Sequence, residues 1–367
     1  MARPVVLILG GYGVFGRRIG ANLAKHDDIE LIIAGRDGKA AADFAQSLVP
    51  DRARALAVDA ASPDAFGALM AMRPAVIVDT VGPFQARDLG LARQCAEQGV
   101  HYVDIADSRG HVAGIGTLDE IAKSHCAAII SGASTVPALS TAIVDDLAPH
   151  ANDVLEIDVG ISPGHRAPRG VATVSAILSY CGRPIPSVCG DTSEYGWGGL
   201  TRRHYPAPVG KRWLSNVDTP ERELWRRRYP ALEKATIRAG FEIGVFHLCL
   251  SALARGVRLG LVPSLARCTG VFLRIAKAGD HFGTDTGAMH VRVVTKAGIR
   301  TGTLVAEKGD GPQIPAAPAA LTVKKLLALP GYAPLTARGA FPCIGLLTRE
   351  EIMKELSGFA ICYVASD

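Results

Sequence analysis

Residues 5–24 read VVLILGGYGVFGRRIGANLA. An aliphatic run, 5–9, enters a cluster of glycines, and an apolar stripe at Phe15, Ile19 and Leu23 leaves it. The run is continuous, as in a strand buried on both faces. The stripe has the spacing of a helix with one buried side. Between them Gly11-Tyr12-Gly13-Val14-Phe15-Gly16 fits G-x-G-x-x-G, and Gly10, Gly13 and Gly16 fit the looser G-x-x-G-x-x-G. A strand before the glycines and a helix after them supply the context of a dinucleotide-binding turn. Glycines let the chain turn tightly and approach a pyrophosphate, and the start of the helix offers free N–H groups and a partial positive charge. The alternative is a tight strand–helix turn with no ligand.

Working outward, the alternation continues. Strands are predicted at 31–34, 55–58, 75–78, 101–107 and 127–130, and helices at 39–48, 62–70, 89–98 and 117–125, with Ser62 as a cap. Regular alternation of this kind predicts an α/β fold built on a doubly wound parallel Rossmann sheet. The second strand ends LIIAGRD. An NAD site carries Asp or Glu about twenty residues past the glycines, to hold the ribose 2′-hydroxyl. Here Gly35 and Arg36 stand in that place. Glycine removes the repulsive carboxylate, and arginine can pair with a 2′-phosphate. NADP is the expected cofactor, with NAD the alternative because Asp37 adjoins. Asp59, ending the third strand, and Val81, Gly82, Pro83 and Phe84, following the fourth, complete the expected cofactor contacts.

Beyond residue 136 the pattern changes. A helix is predicted at 141–147 and a strand at 154–161, followed by a basic loop, SPGHRAPRG, over 162–170. His165 and Arg169 in that loop are candidates for an anionic substrate group. A helix follows at 171–180. Residues 185–222 hold many Gly, Pro, Trp and Tyr and little periodicity, the mark of hairpins or a functional loop. Strands at 289–295 and 301–306 flank KAGI as a hairpin. A helix begins with prolines near its first turn after GDGPQ. Thr348 and Glu351 form a capping box, and 359–364 is a last strand. The segment FEIGVFHLCLSALARGVRLGLV, 241–262, is unusually apolar, yet Glu242, His247, Arg255 and Arg258 argue against a spanning helix. A basic helix with Arg267, Arg274 and Lys277 follows. Core helices at a homodimer interface are the first expectation. A surface in peripheral contact with lipid, or one that holds an apolar substrate, is the second.

The stretches LILGGYGVFG, AGRD, VDTVGPFQ, HYVDIAD and SGASTVPA resemble the successive sheet edges of the saccharopine dehydrogenase-like oxidoreductases. GWGGLTRRHYPAPVGKR, RYPALEKATIRAG and CIGLLTREEI resemble the same family, so the likeness runs over most of the chain. It implies an NADP-binding Rossmann domain, taken as 1–135 with 334–367 packing back onto it, and an α+β substrate and dimerisation domain over 136–333. One segment departs from the family. Where members often read YVDLTGE, this chain has Tyr102-Val103-Asp104-Ile105-Ala106-Asp107-Ser108. The glutamate is absent, which counts against saccharopine as the substrate.

The chain of 367 residues has a net charge of +5 and is 48% hydrophobic and 20% charged, the balance of a globular protein of two or three domains. That charge is too mild and too dispersed for a nucleic-acid partner. The eight cysteines show no C-x-x-C and no metal-ligand spacing, so no metal is expected, and they read as small hydrophobes of a reducing, cytoplasmic compartment. No signal peptide is read at the N-terminus. For the chemistry, Asp107 ends the fifth strand and His111 follows it, where a side chain can exchange a proton with substrate. The expected activity is NADP(H)-dependent hydride transfer at a C=N, C=O or C=C bond of a small molecule. The alternatives are a reductase of lipid-like enoyl or keto compounds, and a nucleotide-binding regulatory protein without turnover.

Overall fold

The structure, a computed structural model, describes residues 3–188 and 194–366. Cys189 lies outside them. The chain divides into two compact units, Met1–Leu139 with Gln313–Leu347, and Ser140–Pro312 with Thr348–Asp367.

In chain order the first unit opens with β1 (Val5–Leu9), α1 (Val14–Leu23), β2 (Glu30–Gly35), α2 (Gly38–Leu48), β3 (Ala53–Ala57) and α3 (Ala65–Met70). It continues with β4 (Val76–Asp79), α4 (Gly90–Glu97), β5 (His101–Asp104), α5 (Arg109–Gly114), α6 (Asp119–Ser124) and β6 (Ala128–Ser131). The second unit then supplies α7 (Ser140–Leu147), β7 (Val154–Ser162), α8 (Val171–Tyr180), β8 (Pro184–Ile185), β9 (Glu194–Tyr195), β10 (Thr201–His204) and β11 (Lys211–Asn216). After these come α9 (Glu221–Arg228), β12 (Lys234–Ala239), α10 (Gly244–Arg258), α11 (Thr269–Ala278), β13 (Gly287–Thr295) and β14 (Gly298–Ala306). The chain returns to the first unit for α12 (Gln313–Leu326) and β15 (Gly339–Pro342), and ends in the second with α13 (Arg349–Glu355) and β16 (Ile361–Ser366).

The first unit is a seven-stranded parallel sheet in the order β15-β6-β5-β4-β1-β2-β3. Its central strands bury nearly every residue, because helices cover both faces. In α1 the buried stripe is Gly16, Ile19, Gly20 and Leu23. Phe15 falls at its half-buried edge. A Cβ on Gly20 would press on Phe44 at 3.3 Å, so the missing side chain lets α1 lie close to α2. The helix predicted from Ser62 starts three residues later, after a turn held by Asp59 and Ser62. Helix α5, which carries His111, has no counterpart among the predicted elements, being a single six-residue turn and a half.

The second unit is built on a mixed sheet, β10-β11-β12-β7-β13-β14-β16. The hairpin predicted around KAGI is β13–β14, and the capping box at Thr348 and Glu351 is formed in both directions. The unpatterned stretch 185–222 holds the β10–β11 hairpin. The segment returning to the Rossmann sheet differs from the expected 334–367. It begins at α12 and stops at Leu347, because β16 pairs with β14 and so belongs to the second sheet.

Candidate functional site: a dinucleotide cradle at the strand ends

The glycine turn lies at the carboxyl end of β1, in the middle of the parallel sheet. Gly10 has φ +77°, and its N–H and that of Gly11 both donate to the Ala34 carbonyl of β2. A Cβ on Gly11 would come within 2.8 Å of the Ile8 carbonyl. A Cβ on Gly16 would strike the Gly10 carbonyl and stand 2.7 Å from the Gly11 Cα. Gly13 differs: it is exposed and its absent side chain would meet only the Gly10 carbonyl, at 3.0 Å. Three glycines therefore serve the turn itself, and Gly13 leaves open the ground in front of it. Gly13 is also the N-cap of α1, without a side-chain cap among the described residues. The first N–H groups of α1, at Val14 and Phe15, lie where an anion is stabilised by them and by the helix dipole. The Tyr12 carbonyl is held by the Arg17 Nε at 2.8 Å, which fixes the loop from the solvent side.

At the end of β2 the last three residues of the AGRD stretch have distinct situations. Gly35 is buried, and a Cβ there would run into the ring of Tyr12, whose hydroxyl accepts the Asp37 N–H at 2.9 Å. Asp37 caps α2 by accepting the Ala40 N–H. It is thereby committed to the helix, which weakens the case for it as a ribose ligand. Arg36 is exposed and, among the described residues, has no ion-pair or hydrogen-bond partner. Asp59, beyond β3, is exposed and accepts the Ala61 N–H within its own turn.

After β4 and β5 the sheet edge is organised by two acids. Asp79 and Asp104 are register partners at the ends of their strands, and both are fully buried. Asp79 accepts the Val81 N–H at 2.9 Å, the Arg87 guanidinium at 2.6 Å and the Tyr102 hydroxyl at 3.2 Å. Burial pushes its carboxyl upward, with Arg87 pulling against it. Arg87 also donates to the Val81 carbonyl, so the loop Val81–Gly82–Pro83–Phe84 is held at both of its first polar groups. Phe84 is buried edge-on against His111, and Gly82 and Pro83 stay half-exposed above the strand ends. Thr80 ties this loop to the glycine turn through its hydroxyl, which donates to the Leu9 carbonyl at 2.8 Å. Asp104 accepts the N–H groups of Ala106 and Gly132 and the hydroxyl of Ser131, and its second oxygen is 3.2 Å from His111 Nε2. It therefore fixes the loops after β5 and β6 together.

The two acid–base candidates part here. His111 is 7% exposed, and its second nitrogen is 3.4 Å from the Arg87 carbonyl. Burial works against the charged ring, but the Asp104 carboxylate outweighs it and holds His111 above the ordinary imidazole value. Both nitrogens of His111 are engaged inside the protein, and through them the ring braces the loop. Asp107 is half-exposed on the same loop and accepts the Gln85 side-chain N–H at 3.0 Å.

The substrate candidates of the second unit are also bound up internally. His165 is buried, with Nε2 2.9 Å from the Ala276 carbonyl and its ring against Phe246. Burial lowers its pKa. Arg169 donates to Asp280 at 3.1 Å. These two side chains fasten the loop after β7 to the end of α11. Thr80, Asp79, Arg87 and Asp104 were not foreseen. The only sequence signal is an Asp directly after the strand predicted at 75–78 and another within the strand predicted at 101–107. Among the described residues no group of His, Cys, Asp or Glu is placed to hold a metal.

Residues 6–129 match the family described as Saccharopine dehydrogenase NADP binding domain. Comparison with curated protein sequences gives no match. Among solved structures, the apo saccharopine dehydrogenase (L-Glu forming) of Saccharomyces cerevisiae is similar with a TM-score of 0.64 at 12% identity, covering 99% of this chain and 100% of that one. An amine dehydrogenase from Mycobacterium smegmatis gives a TM-score of 0.48 at 13% identity over 94% of this chain and 95% of that one. The first likeness extends the shared fold through both units. The glycine turn and the strand order lie within the matched span, so residues 6–129 resemble the saccharopine dehydrogenase NADP-binding domain in both sequence pattern and fold.

Proposed function

We propose that the protein is an NADP(H)-dependent oxidoreductase acting on a small organic molecule. The observation that carries this reading is the pairing of an uncapped helix start behind Gly13 with an unpartnered Arg36 at the end of the next strand. The first suits a pyrophosphate and the second a 2′-phosphate. When bound, the dinucleotide supplies or accepts a hydride, two electrons with one proton, at the carbon of a C=N, C=O or C=C bond. The protein's part is to orient and to shield. Val81, Gly82 and Pro83 offer backbone along the cofactor's course, and Phe84 backs them with an apolar wall. Asp107 is the group we assign to proton exchange with the substrate, because it stays half-exposed while His111 is turned inward. Asp104 and His111 position the loop that carries it.

The test is consumption of NADPH over a panel of imines, ketones and enoyl compounds, beside direct binding of NADPH. Binding with turnover of at least one class supports the reading. Binding with no turnover of any class favours the nucleotide-binding regulatory alternative. Failure to bind either dinucleotide rejects both. Asp107→Asn should cut turnover about a hundredfold or more, within the range of general acid–base catalysis, and leave NADPH affinity unchanged.

A further inference from the structure

Helix α10 is apolar on two faces and buried on one. Leu250 and Ala254 pack inward with Leu178, Trp197 and Leu265. On the other side Val245 is 60% exposed and Leu248 40%, and Leu259, just past the helix end, is 62% exposed. The neighbouring α11 repeats this, with Val271 47% and Ile275 48% exposed, and Phe282 just beyond it is 84% exposed. A helix that is apolar all round belongs in an interior, and a surface patch of this kind marks a contact with something outside the fold.

The charge pattern says what that something is. Residues 243–279 contain no Asp or Glu, and hold Arg255, Arg258, Arg267, Arg274 and Lys277, all exposed. The acids on either flank are engaged: Glu242 by Arg212, Thr284 and the His165 N–H, and Asp280 by Arg169. The face is thus apolar with cations only. A two-fold homodimer would lay this patch on its own copy and bring like charges together. An anionic lipid surface matches both components, apolar side chains entering the acyl boundary and cations meeting the headgroups. Among the described residues no helix is long and apolar enough to cross a membrane, so the contact is peripheral.

We propose that the α10–α11 face docks the protein on anionic membrane. This goes beyond the redox reading and does not depend on it. The test is flotation of the full chain with vesicles of phosphatidylcholine alone and with equimolar phosphatidylcholine and phosphatidylglycerol. Flotation with the mixed vesicles, weak with the neutral ones and weakened by salt, is expected. Leu248→Asp and Ile275→Asp should each cost about tenfold in partitioning, and Arg255→Glu with Arg274→Glu at least fivefold per residue. Val364→Asp, exposed on β16 at the far edge of the sheet, should change nothing. Matching thermal melting curves guard against misfolding of a variant. No flotation with the mixed vesicles overturns the proposal, as does flotation that survives Leu248→Asp and Ile275→Asp together. A lipid-free dimer that Leu248→Asp dissociates also overturns it, in favour of a self-association face.

Discussion

The loop after β2 and the loop after β7 each present an arginine, and the two sit in opposite electrostatic company. Arg36 follows a buried glycine, beside an aspartate already used as a helix cap, and no acid of the described residues meets it. Arg169 has Asp280 at 3.1 Å, and its neighbour His165 is fastened to the Ala276 carbonyl. A cation left unpaired beside a helix start that is itself uncapped is arranged for an external anion. A cation paired across two loops is arranged to hold the loops. What separates them is the surrounding fold: parallel strand ends collect loops whose polar groups point outward, whereas the β7 loop closes onto its own unit.

That contrast can be broken in several places. The largest effect is expected at Asp104, which holds two loops beside the cradle through two N–H groups, Ser131 and His111. Asp104→Ala leaves these groups buried and unpaired and should cost ~3–5 kcal/mol of stability in denaturant unfolding. A loss below about 1 kcal/mol would mean that the loops hold without it. Next is the turn itself. Gly16→Val drives a side chain into backbone that has no rotamer to escape with, so about 3 kcal/mol of stability should go together with both dinucleotides. Gly13→Val should keep the fold and lose the ligands, since its side chain stands in front of the turn. Equal melting temperatures for the two variants would show that the glycines are not divided in this way.

Acid should act on both units through neutral imidazoles that are buried, as at His247, or half-buried, as at His101 and His290. Burial pushes His101, His247 and His290 down to about 4. The unfolded chain takes up these protons near pH ~6.5 and the folded one does not. Stability should therefore fall as pH drops through the interval between that value and about 4, and His247→Asn should flatten the fall. His111 runs the other way: its raised pKa gives stability present below the unfolded value and lost as pH rises through the folded one. Thermal melting across this range reads both slopes. The smallest effect belongs to Arg169→Ala, a partly exposed pair whose loss should cost ~0–1 kcal/mol and leave NADPH affinity unchanged. A loss of NADPH affinity there would undo the contrast between the two arginines.

Much of the first unit could be read from residues 5–131 because period and punctuation agree there: aliphatic runs, glycines at the turn, helices of two to three turns. The seventh strand, β15, was harder, since GAFP has four residues and joins the sheet from a distant part of the chain. Helix α5 is too short to show a period, and the burial of His111 follows from it. The Asp79 and Asp104 networks depend on register between strands, which one strand's sequence does not contain. In the second unit His165 and Arg169 looked available because their partners, at Ala276 and Asp280, lie more than a hundred residues away. The apolar composition of 241–262 allows both a core helix and an outward-facing one, and it takes the burial of Leu250 and Ala254 beside the exposure of Val245 and Leu248 to tell the two sides of α10 apart. Gly35 illustrates the limit of a motif reading: it removes a carboxylate, as expected, but it also makes room for Tyr12, so Gly35→Asp would displace that ring as well as add a charge.

The central claim is that Arg36 reads a 2′-phosphate at a cradle that otherwise accepts any nicotinamide dinucleotide. Dissociation constants for NADP and NAD, measured on the parent protein and on Arg36→Ala, test it most directly. The account predicts that the variant loses ~1.5–3 kcal/mol toward NADP, about tenfold to a hundredfold, while NAD is held as before. Equal losses for the two dinucleotides, or no loss for either, would contradict it.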